Sequence, residues 1–113
     1  MSQPHWNNNQ FNVRAAGDTA LTNQSMKAAP GAGMSIYVTD ICWFSGATAR
    51  ACNILDGSGG TILWTVSPAI ALVGEVHFRT PLKLSDATAL CATSAGSSVG
   101  SYLTINGFVA RTQ

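Results

Sequence analysis

The chain has 113 residues, enough for one domain around one core, with 46% hydrophobic but only 10% charged residues and a net charge of +1. Soluble domains usually carry about 25% charged residues, so few charges remain to solvate a monomer's surface, and the depletion is of the kind found at subunit interfaces. No basic run is available to contact phosphates and no apolar stretch is long enough to span a bilayer, so neither nucleic acid nor membrane is an expected partner.

Residues 1–19 differ from the rest. The opening Met1 to Asn7 has neither a basic region nor an apolar run and is not expected to be a secretory signal. From Gln3 to Asn12 the chain is amide-rich and without periodicity, a composition that cannot build a core. It nevertheless carries Trp6 and Phe11, with Val13 just beyond. An extended N-terminal arm over 1–19 is therefore expected, with 20–113 as the folded domain and Trp6, Phe11 and Val13 laid on a neighbouring subunit.

From Ala20 onward, short β-like runs alternate with Gly, Pro, Ser and Asp breaks. Thr22 to Ala28 reads as a strand ended by Pro30-Gly31-Ala32-Gly33. Met34 to Phe44 is the strongest strand, rich in β-branched and aromatic residues. Its apolar residues fall on both faces, so one face lines a core and the other meets a partner, with Tyr37 and Trp43 as candidate contacts.

Ala49 to Leu55 follows, with Cys52 and Ile54 on one face, and Asp56-Gly57-Ser58-Gly59-Gly60 reads as a hairpin loop. Thr61 to Val66 alternates, placing Ile62, Trp64 and Val66 together. From Glu75 to Arg79, Val76 and Phe78 face inward and Glu75, His77 and Arg79 outward, before Pro81 forces a bend. Ala87 to Thr93 and Ser101 to Arg111 complete the set. In the last, Leu103, Ile105 and Val109 share a face and Gly107 marks a bulge.

Groups suited to chemistry are sparse. Cys42, Cys52 and Cys91 are odd in number, spaced ten and thirty-nine residues apart, and match no zinc pattern. They read as free, buried thiols of a reducing compartment. His77 belongs with Glu75 and Arg79 in a surface row of charges. Asp56 and Asp86 sit in turns, where they bond nearby backbone. Asp40 lies mid-strand and needs a partner, with Arg50 and Thr39 as candidates within the chain. Gly57-Ser58-Gly59-Gly60 lacks the Lys and helix of a phosphate loop. No catalytic residue, metal site or cofactor is expected, and the chain reads as non-enzymatic.

Seven or eight short strands with turns roughly every ten residues, and no helical period, indicate an all-β protein. The expected fold is a single β-sandwich, jelly-roll-like, with the extended N-terminal arm. Immunoglobulin-like wiring is the second choice, since its cysteine pair flanking a Trp is absent.

The run Lys27-Ala28-Ala29-Pro30-Gly31-Ala32-Gly33-Met34-Ser35-Ile36-Tyr37-Val38-Thr39-Asp40-Ile41 resembles small structural proteins of tailed bacteriophages. So do Leu55-Asp56-Gly57 with Thr61-Ile62-Leu63-Trp64, Phe78-Arg79-Thr80-Pro81-Leu82, and Tyr102 to Ala110. The resemblance covers about residues 20 to 110 and leaves the arm aside. It implies a virion component made in the host cytoplasm. In its most specific form this is a capsid decoration (cement) protein on the capsid surface, a homotrimer bound to the major capsid protein. The alternative is a trimeric tail or fibre module binding a host receptor or glycan through loops such as Ser45 to Thr48 and Ala95 to Ser98.

Overall fold

The computed structural model describes residues 10–17, 20–70, 72–96 and 99–112. These form strands β1 (Gln10–Ala16), β2 (Gln24–Lys27), β3 (Met34–Phe44), β4 (Cys52–Asp56), β5 (Thr61–Val66), β6 (Val73–Lys83), β7 (Leu90–Ser94) and β8 (Tyr102–Arg111). No helix occurs among the described residues. Breaks fall where glycine and proline demand them. In the β4–β5 hairpin, Gly57 and Gly59 adopt φ of 90° and 69°, a region other residues rarely enter.

The strands make two four-stranded sheets, β1-β8-β3-β6 (sheet A) and β2-β7-β4-β5 (sheet B). Within them β4 pairs with β5, β3 with β6, β2 with β7 and β1 with β8, all antiparallel. The chain is thus one long hairpin, β1 to β4 against β5 to β8, rolled so that successive pairs fall in alternate sheets. That is jelly-roll wiring, and it makes the domain an all-β sandwich.

Between the sheets lies the core. Ile36, Val38, Ile41 and Trp43 of β3 and Leu103 and Ile105 of β8 pack against Cys52 and Ile54 of β4 and Leu90 and Ala92 of β7. Each fully buried aliphatic side chain contributes about 1.5–3 kcal/mol relative to exposure. Trp43 has no solvent exposure, and its indole N–H donates to the Arg50 carbonyl at 2.8 Å.

Residues 10–16, assigned to the arm on sequence, are instead a strand of the sandwich. All seven pair in unbroken register with β8, from Gln10 opposite Phe108 to Ala16 opposite Tyr102. Phe11, Val13 and Ala15 point inward and pack on the core. The strand alternates apolar-in and polar-out, so its amides face solvent and only its inner half contributes to burial. Residues 1–9 lie outside the described residues.

Two one-residue bulges redirect side chains. Thr39 is skipped in the ladders of β3 with both β8 and β6. Opposite it on β6 run residues 78–81, which puts Pro81 in an irregular stretch of an edge strand, where a missing N–H costs nothing. Gly107 is not the bulge. It sits in regular pairing with Phe11, opposite the bulge on β3. The second bulge is Leu63: Ile54 pairs with Trp64 but Leu55 with Ile62. Leu63 packs on the core while Ile62 is exposed, so Ile62 does not share a face with Trp64 and Val66 as the alternation suggested.

Candidate functional site

The sequence-derived partner residues do not form one surface. Trp6 lies outside the described residues. Phe11 and Val13 face the core, and Trp43 is sealed within it, so these three are packing residues rather than contacts for a partner. Only Tyr37 lies on the outer face of sheet A, half-buried. It is stacked on Phe108 with ring centroids 5.1 Å apart, and its hydroxyl donates to the Arg111 carbonyl at 3.0 Å. Tyr37 and Trp43 have the same sequence parity, but the Thr39 bulge between them turns one outward and the other inward.

The strongest exposed feature was only partly signalled by sequence. β5 and β6 are the outermost strands of their sheets on the same side of the sandwich. There Trp64 meets Phe78 edge-to-face, with centroids 4.9 Å apart at 87°. Beside this pair, the β5–β6 connection and the start of β6 expose Ile70 (59%), Leu72 (57%) and Val73 (49%), while Trp64 itself is 41% exposed. A groove of about 500 Å³ runs along this flank, lined by Trp64, Val66, Pro68, Leu72, Val73 and Val76 among others. Ladder alternation places neither Ile70 nor Leu72, because both lie in a connection rather than a strand.

Beyond the Tyr37–Phe108 stack, the outer face of sheet A carries polar groups. Asp40 accepts a hydrogen bond from the His77 ring and another from the Thr39 hydroxyl at 2.9 Å. His77 also lies 3.7 Å from Glu75. The His77 bond is the main reason the Asp40 carboxyl is held below its usual range, and Asp40 in turn raises His77. The partners of Asp40 are thus Thr39, one of the two expected within the chain, and His77 across the ladder, rather than Arg50. Nearby, Arg14 stacks over the Tyr102 ring at 4.3 Å, and the Asn12 amide donates to Asn106 across the β1–β8 ladder. An open groove of about 540 Å³ lies over β1, β8 and β3.

The remaining acids have structural partners. Asp56 accepts from the Ser85 backbone N–H at 3.0 Å and from its hydroxyl, tying the β4–β5 hairpin to the β6–β7 connection rather than to its own turn. Asp86 accepts from the Thr112 hydroxyl at 2.7 Å. Cys42, Cys52 and Cys91 are free. Burial pushes the Cys52 thiol up to about 12 and raises the other two, Cys42 with help from Glu75. Among the described residues, no three of His, Cys, Asp and Glu are grouped to hold a metal ion. No helix among them is long and apolar enough to cross a membrane.

The sequence matches no protein-family model and no curated protein. Among solved structures, it is similar to the tobacco streak virus coat protein, at 12% identity and a TM-score of 0.39 over 100% of this chain and 92% of that one. A carbohydrate binding module from the Cellvibrio mixtus lichenase 5A, in complex with cellotriose, gives 9% identity and 0.45 over 91% and 98%. The extra small virus particle of the prawn Macrobrachium rosenbergii gives 7% and 0.37 over 90% and 80%. At these identities and scores the likeness carries no function across.

Proposed function

We propose that the chain is a non-enzymatic virion structural protein, a capsid decoration protein that binds the assembled head as a homotrimer and stabilises it. The observation that carries this reading is the apolar flank of Trp64, Ile70, Leu72 and Val73 on a charge-poor sandwich. Exposed apolar residues gathered along one groove, as Trp64, Leu72 and Val73 are, mark a site of association. Jelly rolls are an architecture used in virus shells, where repeated weak contacts sum across many copies. In this reading the flank is shared between trimer contacts and the major capsid protein, on the outer surface of a particle assembled in the host cytoplasm. The resemblance of residues 20 to 110 to tailed-phage structural proteins supports the phage setting.

Quantitative mass spectrometry of purified particles tests the proposal. Hundreds of copies per particle are expected. A few copies per particle would assign the chain to a tail or fibre, and absence from particles would overturn a virion role.

A further inference from the structure

We propose that the outer face of sheet A is a binding site for a neutral saccharide, a property independent of where the chain sits on a particle. The groove there is lined by Gln10 and Asn12 of β1, Asn106 and Phe108 of β8, and Thr39 and Asp40 of β3. Its floor is the middle of a sheet. β8, which runs along the groove, is laddered on both sides, to β1 and to β3, so its backbone offers no row to an added strand. Recognition must come from side chains.

Phe11 and Gly107 line it as well, Phe11 packing on the core; the outward side chains are three amides, one hydroxyl, one carboxylate and one aromatic ring, with no Lys or Arg among the described lining residues. Phosphates and other anions are disfavoured, because Asp40 is the one charged side chain among the described lining residues and its partner His77 lies outside that lining. The polar groups retain hydrogen-bonding capacity. Asn12 and Asn106 share one bond, whereas each amide offers two donors and two acceptor sites. Asp40 uses one oxygen for His77 and the other for Thr39, which leaves about two of the four lone-pair sites of a carboxylate. A sugar's adjacent hydroxyls, each both donor and acceptor, match this mixture. Its C–H face suits the Phe108 ring, which Tyr37 holds in place by stacking. Few convergent polar groups beside an aromatic surface are the usual make-up of a small-molecule site.

The test is an amide chemical-shift titration of the isotope-labelled full chain with maltotriose, laminaritriose and chitotriose, and with sialyllactose as the anionic counterpart. At least one neutral trisaccharide is expected to shift residues of β1, β8 and the Thr39–Asp40 segment, and to bind more tightly than sialyllactose. The double variant Asn12→Ala/Asn106→Ala should bind at least about tenfold more weakly with an unchanged melting temperature, while Gln24→Ala on sheet B binds as the parent does. Absence of binding by all three neutral sugars would overturn the proposal. So would shifts mapping to sheet B, or binding that survives in the double variant.

Discussion

Gly107 and Phe11 face each other across the β1–β8 ladder, and the phenyl ring occupies the space a side chain at 107 would need. A Cβ built on Gly107 meets the Phe11 Cζ at 2.8 Å and presses on the Tyr37 carbonyl oxygen. Gly107→Ala is therefore expected to destabilise the fold by about 1–3 kcal/mol through overpacking. Gly31→Ala, where nothing lies within 4 Å, should stay within about 0.5 kcal/mol of the parent. Urea denaturation of both variants checks the contrast, and equal effects would contradict the packing described.

Trp43 provides a second test. Trp43→Ala empties the centre of the core and should cost about 3–5 kcal/mol. Trp43→Phe keeps an aromatic ring but leaves the Arg50 carbonyl without its donor, and should cost about 1–3 kcal/mol. If Trp43 were a partner contact, both variants would fold normally and lose only assembly.

The Asp40–His77 pair gives a pH signature. His77 is raised above its ordinary 6.5, so its contribution is full below that value and is lost as pH rises through the folded-state value. Asp40 is lowered below 3.8, so its contribution is present above that value and is lost as pH falls through the folded-state value. The pair, with Glu75 beside it, stabilises most between about pH 4 and pH 6.5. Melting temperature against pH should show this rise in the parent and a flatter curve in His77→Gln. Both groups are solvent-exposed enough that the amplitude is small and shrinks with added salt.

The thiols should titrate in order of access. Cys42 is half-buried whereas Cys52 and Cys91 are buried. In native protein without reductant, a thiol reagent should modify Cys42 first, and denaturant should release all three. A total of one thiol would mean a disulfide.

The apolar flank should control association. Leu72 is 57% exposed, so Leu72→Asp is expected to fold as the parent does yet scatter light as a monomer of 11.8 kDa, while the parent scatters as a trimer. A monomeric parent at micromolar concentration would refute the flank's role in self-association.

Much of this architecture was legible in the sequence, because β3 and β5 are bounded by strong breaks and rich in β-branched and aromatic residues. What stayed hidden has two physical causes. The β1 segment does alternate, with Phe11, Val13 and Ala15 against Asn12 and Arg14, but the amide-rich residues before it mask a strand whose polar half faces water. The bulges are the other cause. Periodicity assigns faces by counting in twos, and one skipped residue at Thr39 or Leu63 reverses every assignment beyond it. Hence Trp43 is core and Tyr37 is not, and Ile62 is exposed where Val66 is buried. The polar groove on sheet A was illegible for a related reason: it gathers residues 10 to 12, 39 to 40 and 106 to 108, which no local spacing connects.

The pairing of β1 with β8 also sets a timetable. Gln10 pairs in the same ladder as Phe108, so sheet A cannot close until the chain through β8 has left the ribosome. The β4–β5 hairpin can form early, but each further pair joins segments farther apart in sequence, and the β1–β8 pair comes last. Such closure is slow, on the order of milliseconds to seconds for all-β domains. During that interval the unpaired edge of β8, with Leu103 and Ile105 above an unfinished core, is open to the β1 segment of another copy. The route to the native sandwich therefore lies beside a route to strand exchange between chains, and crowded synthesis of many copies would favour the latter.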